Sequence, residues 1–366
     1  MHRFIATVIS VAVMPYPPAI VGFSHPHAAS PLPRIPPKSS PPRHDVDAYD
    51  AVDSHIDIES PSTSRWGKSP PYLAILTEPD ACASIERVDE TFRAIELATA
   101  VDGDVDMVVL RVENDSEVEC ATRKWALLRR LAELKGAGGG NFLLVVNDDV
   151  DIVLEALYRN VTVDGVHVKE RNAHLIPSIR SKLEHAVARS FGGGSDSTEN
   201  VIIGTSCHSI DSAARSYRLS PRGPDYLFVG TCYPTRSHPE KRTVEQLEGP
   251  SLPGDVKREL YDIYNNTKRE IDIGSAISSQ STPTLPPVIF AIGGIDERNC
   301  QEPVLNFDAD GIAVIRTVMH APDPGEVVRR LKKTMKNERA DLGGLVYRTE
   351  KEGVSCISYD KIKEKN

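Results

Sequence analysis

The sequence predicts an α/β protein built as a single (β/α)8 TIM barrel, and three observations predict it. Eight short apolar runs recur between residues 72 and 315, most of them rich in β-branched residues. Each is too short for an ordinary helix and reads as a strand buried on both faces. Segments with helical spacing separate them, the alternation expected of a parallel barrel. Finally, the turn after the first run, Thr77-Glu78-Pro79-Asp80, is not the Gly-rich phosphate loop that a doubly wound open sheet, the runner-up fold, carries there.

Residues 1–70 read as a leader. Phe4–Met14 is an apolar run preceded by His2 and Arg3, too short to span a bilayer but suited to a signal h-region. The tract after it is heavy in Pro, Ser and His, PLPRIPPKSSPPR at 31–43 included, and such a composition cannot bury a core. A targeting leader of this kind points to an organelle such as a plastid; a tail without an address leaves the protein cytoplasmic.

The eight strands are expected at Leu73–Leu76, Asp106–Leu110, Phe142–Val146, Gly165–Val168, Val201–Gly204, Tyr226–Val229, Val288–Ile292 and Gly311–Ile315. Trp125, Leu127, Leu128, Leu131 and Leu134 form one helical stripe, and Ile152, Leu154, Ala156 and Leu157 another. Val327, Val328 and Leu331 fit a last helix starting near Pro324. Two stretches fall outside the repeat: a polar loop at Arg236–Pro253, and a low-complexity insertion at Asn266–Pro286 containing SAISSQSTPTLPP. The barrel is expected to fill 71–340. The tail 341–366 reads as an appended hairpin, Leu345–Arg348 and Val354–Tyr359 around Glu350-Lys351-Glu352-Gly353.

The formal charge of −9 over 366 residues argues against nucleic acid or an anionic membrane as the main partner. Any bound phosphate must then be held by a local cluster of donors. The six cysteines form no CxxC pair and no Cys/His set with zinc-finger spacing, which predicts free thiols.

In a barrel, function sits at the carboxyl ends of the strands. There the chain places Arg111-Val112-Glu113, Asn147-Asp148-Asp149, His167 to Asn172, Ser206-Cys207-His208-Ser209, Gly230 to His238, Gly293-Gly294 and Arg316. Anion donors, a carboxylate and a histidine together suit a small phosphorylated molecule. The Gly pair lets backbone approach a ligand and turns N–H groups outward, although a ligand-free βα turn has the same pattern. Asp148 reads equally as a metal ligand or as the cap of a helix beginning near Val150. His208 precedes Ser209, a candidate N-cap for a helix at Ile210–Tyr217, and a lone histidine there is often structural. His167 reads as packing within its strand. Thr235 and Ser237 can be ordinary loop polars. Adjacency of Cys207 to His208 in sequence does not make a Cys–His dyad.

The runs FLLVVNDDVDIVLEA, DGVHVKE, VIIGTSCHSIDSAA, PDYLFVGTCYPTRSH, VIFAIGGIDERN and DGIAVIR…APDP, in that order over residues 72–335, resemble the thiamin phosphate synthase/TenI family of barrels. The resemblance implies a thiazole phosphate site and, in the synthase branch, a pyrimidine pyrophosphate–Mg2+ site. It places the phosphate turn on Gly293 and Gly294, a pyrophosphate contact on Asn147 and a metal ligand on Asp148. It also matches the strand-2 arginine to Arg111, the strand-5 serine to Ser206, and the histidine of TenI-type tautomerases to His208. The Thr-x-Thr-Lys element becomes Thr235-Arg236-Ser237-His238, and the strand-8 serine becomes Arg316, an added phosphate donor. A homo-oligomer is implied by the resemblance alone.

The departures from the pattern fall on the pyrophosphate half. Gln-x-Arg-x-Lys reads Val109-Leu110-Arg111-Val112-Glu113, the second metal carboxylate is Asn172, and the lysine after Thr-x-Thr is His238. Glu170 or Asp149 would have to stand in for the missing carboxylate if Mg2+ binds. Each lost charge-assisted contact is worth about 1.5–3 kcal/mol, so the thiazole-phosphate half is expected to be the better retained. The expected function is proton transfer on a thiazole phosphate by His208. The alternatives are thiamin phosphate synthase using Mg2+, and an inactive ligand-binding or regulatory homologue.

Overall fold

A computed structural model of the chain describes residues 66, 68–100, 104–113, 118–137, 140–191, 201–219, 222–236, 240–241, 243–272 and 284–336. The signal-like segment, the Pro/Ser tract and the C-terminal hairpin expected from the sequence lie outside these residues.

Eight parallel strands close on themselves in sequence order. They are β1 (Tyr72–Leu76), β2 (Met107–Leu110), β3 (Leu143–Asn147), β4 (Gly165–Val168), β5 (Ile202–Cys207), β6 (Tyr226–Val229), β7 (Val288–Ile292) and β8 (Gly311–Val314), with β8 pairing back onto β1. Around them run α1 (Ile85–Thr99), α2 (Val118–Gly136), α3 (Val150–Tyr158), α4 (Ile176–Phe191), α5 (Ile210–Tyr217), α6 (Leu252–Asp272), α7 (Arg316–Met319) and α8 (Pro324–Met335). Each expected strand is present within a few residues. The largest shift is at β5, which continues past Gly204 to Cys207 and so carries Ser206 within the sheet.

Three expectations are corrected. The insertion expected from Asn266 starts inside α6, because Asn-Asn-Thr-Lys-Arg-Glu-Ile-Asp holds no Gly or Pro and continues the helix to Asp272. Between β7 and β8 the described residues form one π-helical turn, Glu302–Asn306, in place of a barrel helix. Trp66 and Lys68, assigned by sequence to the leader, belong to the barrel. The Trp66 ring lies 5.1 Å from Tyr72 and 5.6 Å from Phe290, and Lys68 pairs with Asp106 at 3.1 Å.

Strand alternation divides the core into two shells. Tyr72, Ala74, Met107, Val109, Val145, Tyr226, Phe228 and Phe290 fill the barrel interior. Leu73, Ile75, Val108, Leu110, Leu144 and Val146 face outward against the helices, where Leu127, Leu128 and Leu131 of α2 meet them. In α3 the stripe is turned slightly from expectation: Val153, Ala156 and Leu157 are buried, and Ile152 and Leu154 are half-buried.

The N-terminal rim is held by a repeated clamp. Asp106, Asp164, Asp225 and Asp310 each stand just before an even-numbered strand. Each accepts a strand N–H from the preceding odd strand: Leu73 at 2.8 Å, Leu144 at 2.6 Å, Ile203 at 2.8 Å and Ile289 at 2.8 Å. Each is also matched by a cation: Lys332 on Asp106, Lys135 on Asp164, Arg180 on Asp225 and Lys257 on Asp310. Paired carboxylates that accept backbone N–H groups tolerate burial that an isolated charge could not.

Candidate functional site

At the carboxyl end of the strands is a cavity of about 630 Å³. Inward-facing positions at successive strand ends supply its floor: Arg111, Asn147, His167, Ser206, Phe228 and Ile292. Loop residues form its walls, among them Lys169, Glu170, His208, Thr235, Arg236 and Arg316. Of the residues expected from sequence, Arg111, Asn147, Ser206, His208, Thr235, Gly293, Gly294 and Arg316 meet in this one cavity. Asp148 is not among the residues that line it, and Ser237 and His238 lie outside the described residues.

The turn after β7 is built for glycine at both positions. Gly293 has φ +100° and Gly294 φ +65°. A Cβ on Gly293 would lie 2.7 Å from the Thr231 methyl, and one on Gly294 2.5 Å from the Pro234 carbonyl oxygen. The turn is pinned from both sides: Tyr233 N–H donates to the Gly293 carbonyl at 3.0 Å, and Asn299 Nδ2 to the Gly294 carbonyl at 3.0 Å. Among the described residues neither glycine donates its own N–H to a protein acceptor. Successive backbone N–H groups in a turn are the kind of donor that an anion can use.

His208 follows the end of β5, where Ser209 caps α5 by accepting the Ser212 N–H at 3.1 Å. The cap therefore falls to Ser209, and the imidazole is left between two carboxylates. Its Nε2 is 3.8 Å from Glu170 Oε2, and its Nδ1 is 3.6 Å from Glu248 Oε1. Glu248 is a residue the sequence did not single out. It lies in the polar loop after β6, and only the path of that loop brings it to β5. Its Oε2 accepts the Thr231 N–H at 2.7 Å, and Lys241 from the same loop pairs with Oε1, the oxygen that faces His208. Burial pushes the Glu248 carboxyl up, but the hydrogen bonds from Lys241 and Thr231 outweigh it and hold the group below its ordinary range.

His167 is a packed core side chain, as its strand position predicts. It is 2% exposed and stacks on Phe228 with ring centroids 4.6 Å apart. Burial pushes it down to about 3, so the ring is neutral at pH 7. Cys207 is fully buried, and burial pushes its thiol up to about 12, which leaves no thiolate for catalysis. Cys82, Cys120, Cys207, Cys232 and Cys300 are all free and buried.

The second alternative for Asp148, a helix cap, is corrected. Asp149 caps α3, accepting the Ile152 N–H at 3.0 Å, and is held by the buried Lys124 at 2.6 Å. Asp148 takes φ +55°, which turns its carboxylate the other way. It meets Lys169 Nζ at 3.0 Å and an Arg171 nitrogen at 3.9 Å, and Asn172 Nδ2 approaches it at 3.5 Å. These residues do not fit the Mg2+ that the family resemblance implies. A hard cation seeks converging oxygens, whereas Asp148 faces two cations and an amide donor. Asp149 is already paired, and Glu170 faces His208. Among the described residues no group of three or more His, Cys, Asp or Glu could hold a metal ion.

Two further pairings bear on the site. Glu113, which stands where the family pattern has a lysine, pairs with Arg111. Arg316, expected as a phosphate donor, lines the cavity with its Nε 3.5 Å from Glu78. Glu78 is the buried carboxylate at the end of β1 and also accepts from His320 at 2.7 Å and Arg87 at 2.8 Å. Lys169, Arg171 and Arg236 stand in the cavity wall.

Proteins of one family resemble this chain in sequence. The thiamine monophosphate synthase family profile matches residues 81–251. A thiamine-phosphate synthase from Geobacillus kaustophilus is 30% identical over 243 residues, covering 66% of this chain and 85% of that protein. One from Haloquadratum walsbyi is 28% identical over 233 residues, covering 64% and 79%. A solved structure, a thiamine phosphate pyrophosphorylase from Pyrococcus furiosus, superposes with a TM-score of 0.47 at 20% identity, covering 72% of this chain and 95% of that one.

Proposed function

The chain belongs to the thiamin phosphate synthase/TenI family, and from that premise we propose that it binds a thiazole phosphate and moves a proton on it. The observation that carries this reading is the His208 imidazole, held between Glu170 and Glu248 in the cavity that contains the Gly293-Gly294 turn. The phosphate sits on the two glycine amides. That anchors one end of the substrate and brings the ring against His208, which removes much of the entropic cost of the encounter. Imidazole is the side chain that gives and takes a proton between pH 5 and 8. His208 takes a proton from one position of the thiazole carboxylate and returns it to another, so that no atom is gained or lost. Glu170 and Glu248 offset the positive charge that the ring carries between the two steps.

The test uses the full chain, incubated with each thiazole carboxylate phosphate isomer, with the products identified. His208→Ala should lower the isomerisation rate by about 10²–10⁴-fold. Undiminished isomerisation in that variant removes the assignment.

A second reading is favoured by the relatives, which are thiamine-phosphate synthases, and by the cations of the cavity wall. Lys169, Arg171 and Arg236 would then meet the charge of a pyrimidine pyrophosphate. Adding that substrate to the same incubation, with and without Mg2+, tests it. Thiamin phosphate formed faster than isomerisation would make synthesis the principal activity.

A further inference from the structure

The interior of the barrel holds a buried polar chain that the proton-transfer reading does not use. His167, Gly204 and Tyr226 share one register row, with His167 opposite Gly204 and Gly204 opposite Tyr226. Gly204 is the gap that lets the outer two meet. A Cβ there would fall 2.0 Å from the ring carbon that bears the Tyr226 hydroxyl. The ring therefore reaches across the row and sets its hydroxyl 3.1 Å from His167 Nδ1. On the other side His167 Nε2 lies 2.9 Å from Ser206 Oγ. Tyr226 is 0% exposed and His167 2%, whereas Ser206 is half-buried and faces the cavity.

A neutral imidazole can satisfy both contacts in two ways. In the first, Tyr226 donates to Nδ1, and Nε2–H donates to Ser206 Oγ. In the second, Nδ1–H donates to the Tyr226 oxygen, and Ser206 donates to Nε2. The second strands the phenol hydrogen, which has no other acceptor among the described residues. Leaving a buried donor unmatched disfavours that form by a factor of roughly 5 to 150. Burial also keeps both rings uncharged: it pushes His167 down to about 3 and Tyr226 well above its ordinary 10. The first form therefore dominates. In it Ser206 already accepts a hydrogen bond from inside the barrel, so its own hydrogen is free for the cavity.

We propose that Tyr226, acting through His167, fixes Ser206 as a hydrogen-bond donor toward a lone-pair acceptor of the bound molecule. Tyr226 and His167 are positioning residues, and Ser206 is the group that touches the ligand. A hydroxyl held as a donor selects a ligand with an acceptor at that point, a carboxylate oxygen or an unprotonated ring nitrogen, and disfavours one that presents an N–H or O–H. This ligand preference rests on the proposed thiazole phosphate site. The tautomer of His167 does not.

The experiment has two independent arms. In the first, the full chain labelled with ¹⁵N is examined without ligand by long-range ¹H–¹⁵N correlation, with the His167 signals identified as those that change in Tyr226→Phe. The expected pattern is a protonated Nε2 and a bare Nδ1, unaltered from pH 8 to pH 5, with the Nδ1–H form becoming populated in Tyr226→Phe. A wild-type proton on Nδ1 overturns the proposal. The second arm measures affinity for thiazole carboxylate phosphate in wild type, Ser206→Ala, Tyr226→Phe and the double variant. Ser206→Ala should weaken binding about 2–10-fold, Tyr226→Phe by less, and the double variant no more than Ser206→Ala alone. Penalties that simply multiply would show that Tyr226 does not act through Ser206 and would overturn the proposal. Should wild type not bind the probe at all, it is the thiazole reading that fails, and the first arm still decides the tautomer.

Discussion

Replacing His167 with Gln should flatten the acid limb of the protein's stability curve. His167 is buried at 2% exposure, and burial pushes it down to about 3, against about 6.5 for a histidine in an unfolded chain. As the pH falls below 6.5 the unfolded chain takes up a proton at this site and the native protein does not. The unfolded state then binds more protons, so stability declines with falling pH through the window from about 6.5 to about 3. Each pH unit crossed costs about 1.4 kcal/mol. At pH 4.5 the native protein should therefore have lost about 2–3 kcal/mol through this one side chain, and nothing through it at pH 8. The carboxylates, Glu78 and Glu248 among them, titrate alike in both proteins and cancel in the comparison.

The assay is urea unfolding of wild type and His167→Gln at pH 8, 6.5, 5.5 and 4.5. The variant is expected to be the less stable protein at pH 8, because Gln cannot stack on Phe228 or bridge Tyr226 and Ser206 as the ring does. Its deficit should shrink by about 2–3 kcal/mol on going to pH 4.5. A deficit that stays constant across that range, or grows, would show that the buried ring is charged or that the site opens to solvent, and would refute the reasoning.

Two other substitutions probe the site. Gly294→Ala should cost about 1–2 kcal/mol for the left-handed backbone alone, and more for the contact with the Pro234 carbonyl, while weakening phosphate binding at least about tenfold. Gly249→Ala is its control, since that residue also has positive φ but open space around it; thermal melts should show the backbone cost there with ligand affinity intact. Glu248→Gln keeps an acceptor for the Thr231 N–H and removes the charge beside His208. A half-exposed pair of this kind is worth up to about 1 kcal/mol, so turnover should fall by up to about fivefold with little change in melting temperature. An equal fall in Glu248→Gln when His208 is already Ala would separate the two residues.

Much of this protein could be read along the chain because a parallel barrel writes its strands as short isolated apolar runs. Val288–Ile292 and Tyr226–Val229 are bounded in the sequence where they are bounded in space. The Gly293-Gly294 pair was legible for a related reason: only glycine suits two successive left-handed residues packed against Thr231 and Pro234. Even the four-fold clamp is written in the chain, as an Asp immediately before Met107, Gly165, Tyr226 and Gly311. Its role is not, because each carboxylate acts on a strand about 20 to 35 residues earlier.

What the sequence determined by itself was the barrel, its strand order and the end at which polar side chains gather, since hydrophobic periodicity and backbone sterics are local properties. The tertiary structure alone decided which polar groups face one another. It gave the α3 cap to Asp149 and turned Asp148 toward Lys169. It brought Glu248 from a loop of no recognisable pattern to His208, and it laid Tyr226 across Gly204 onto His167. Apart from the cap, those pairings join residues about 20 to 60 positions apart, and a charge or a hydrogen bond takes its meaning from its neighbour in space, which no local pattern of residues specifies.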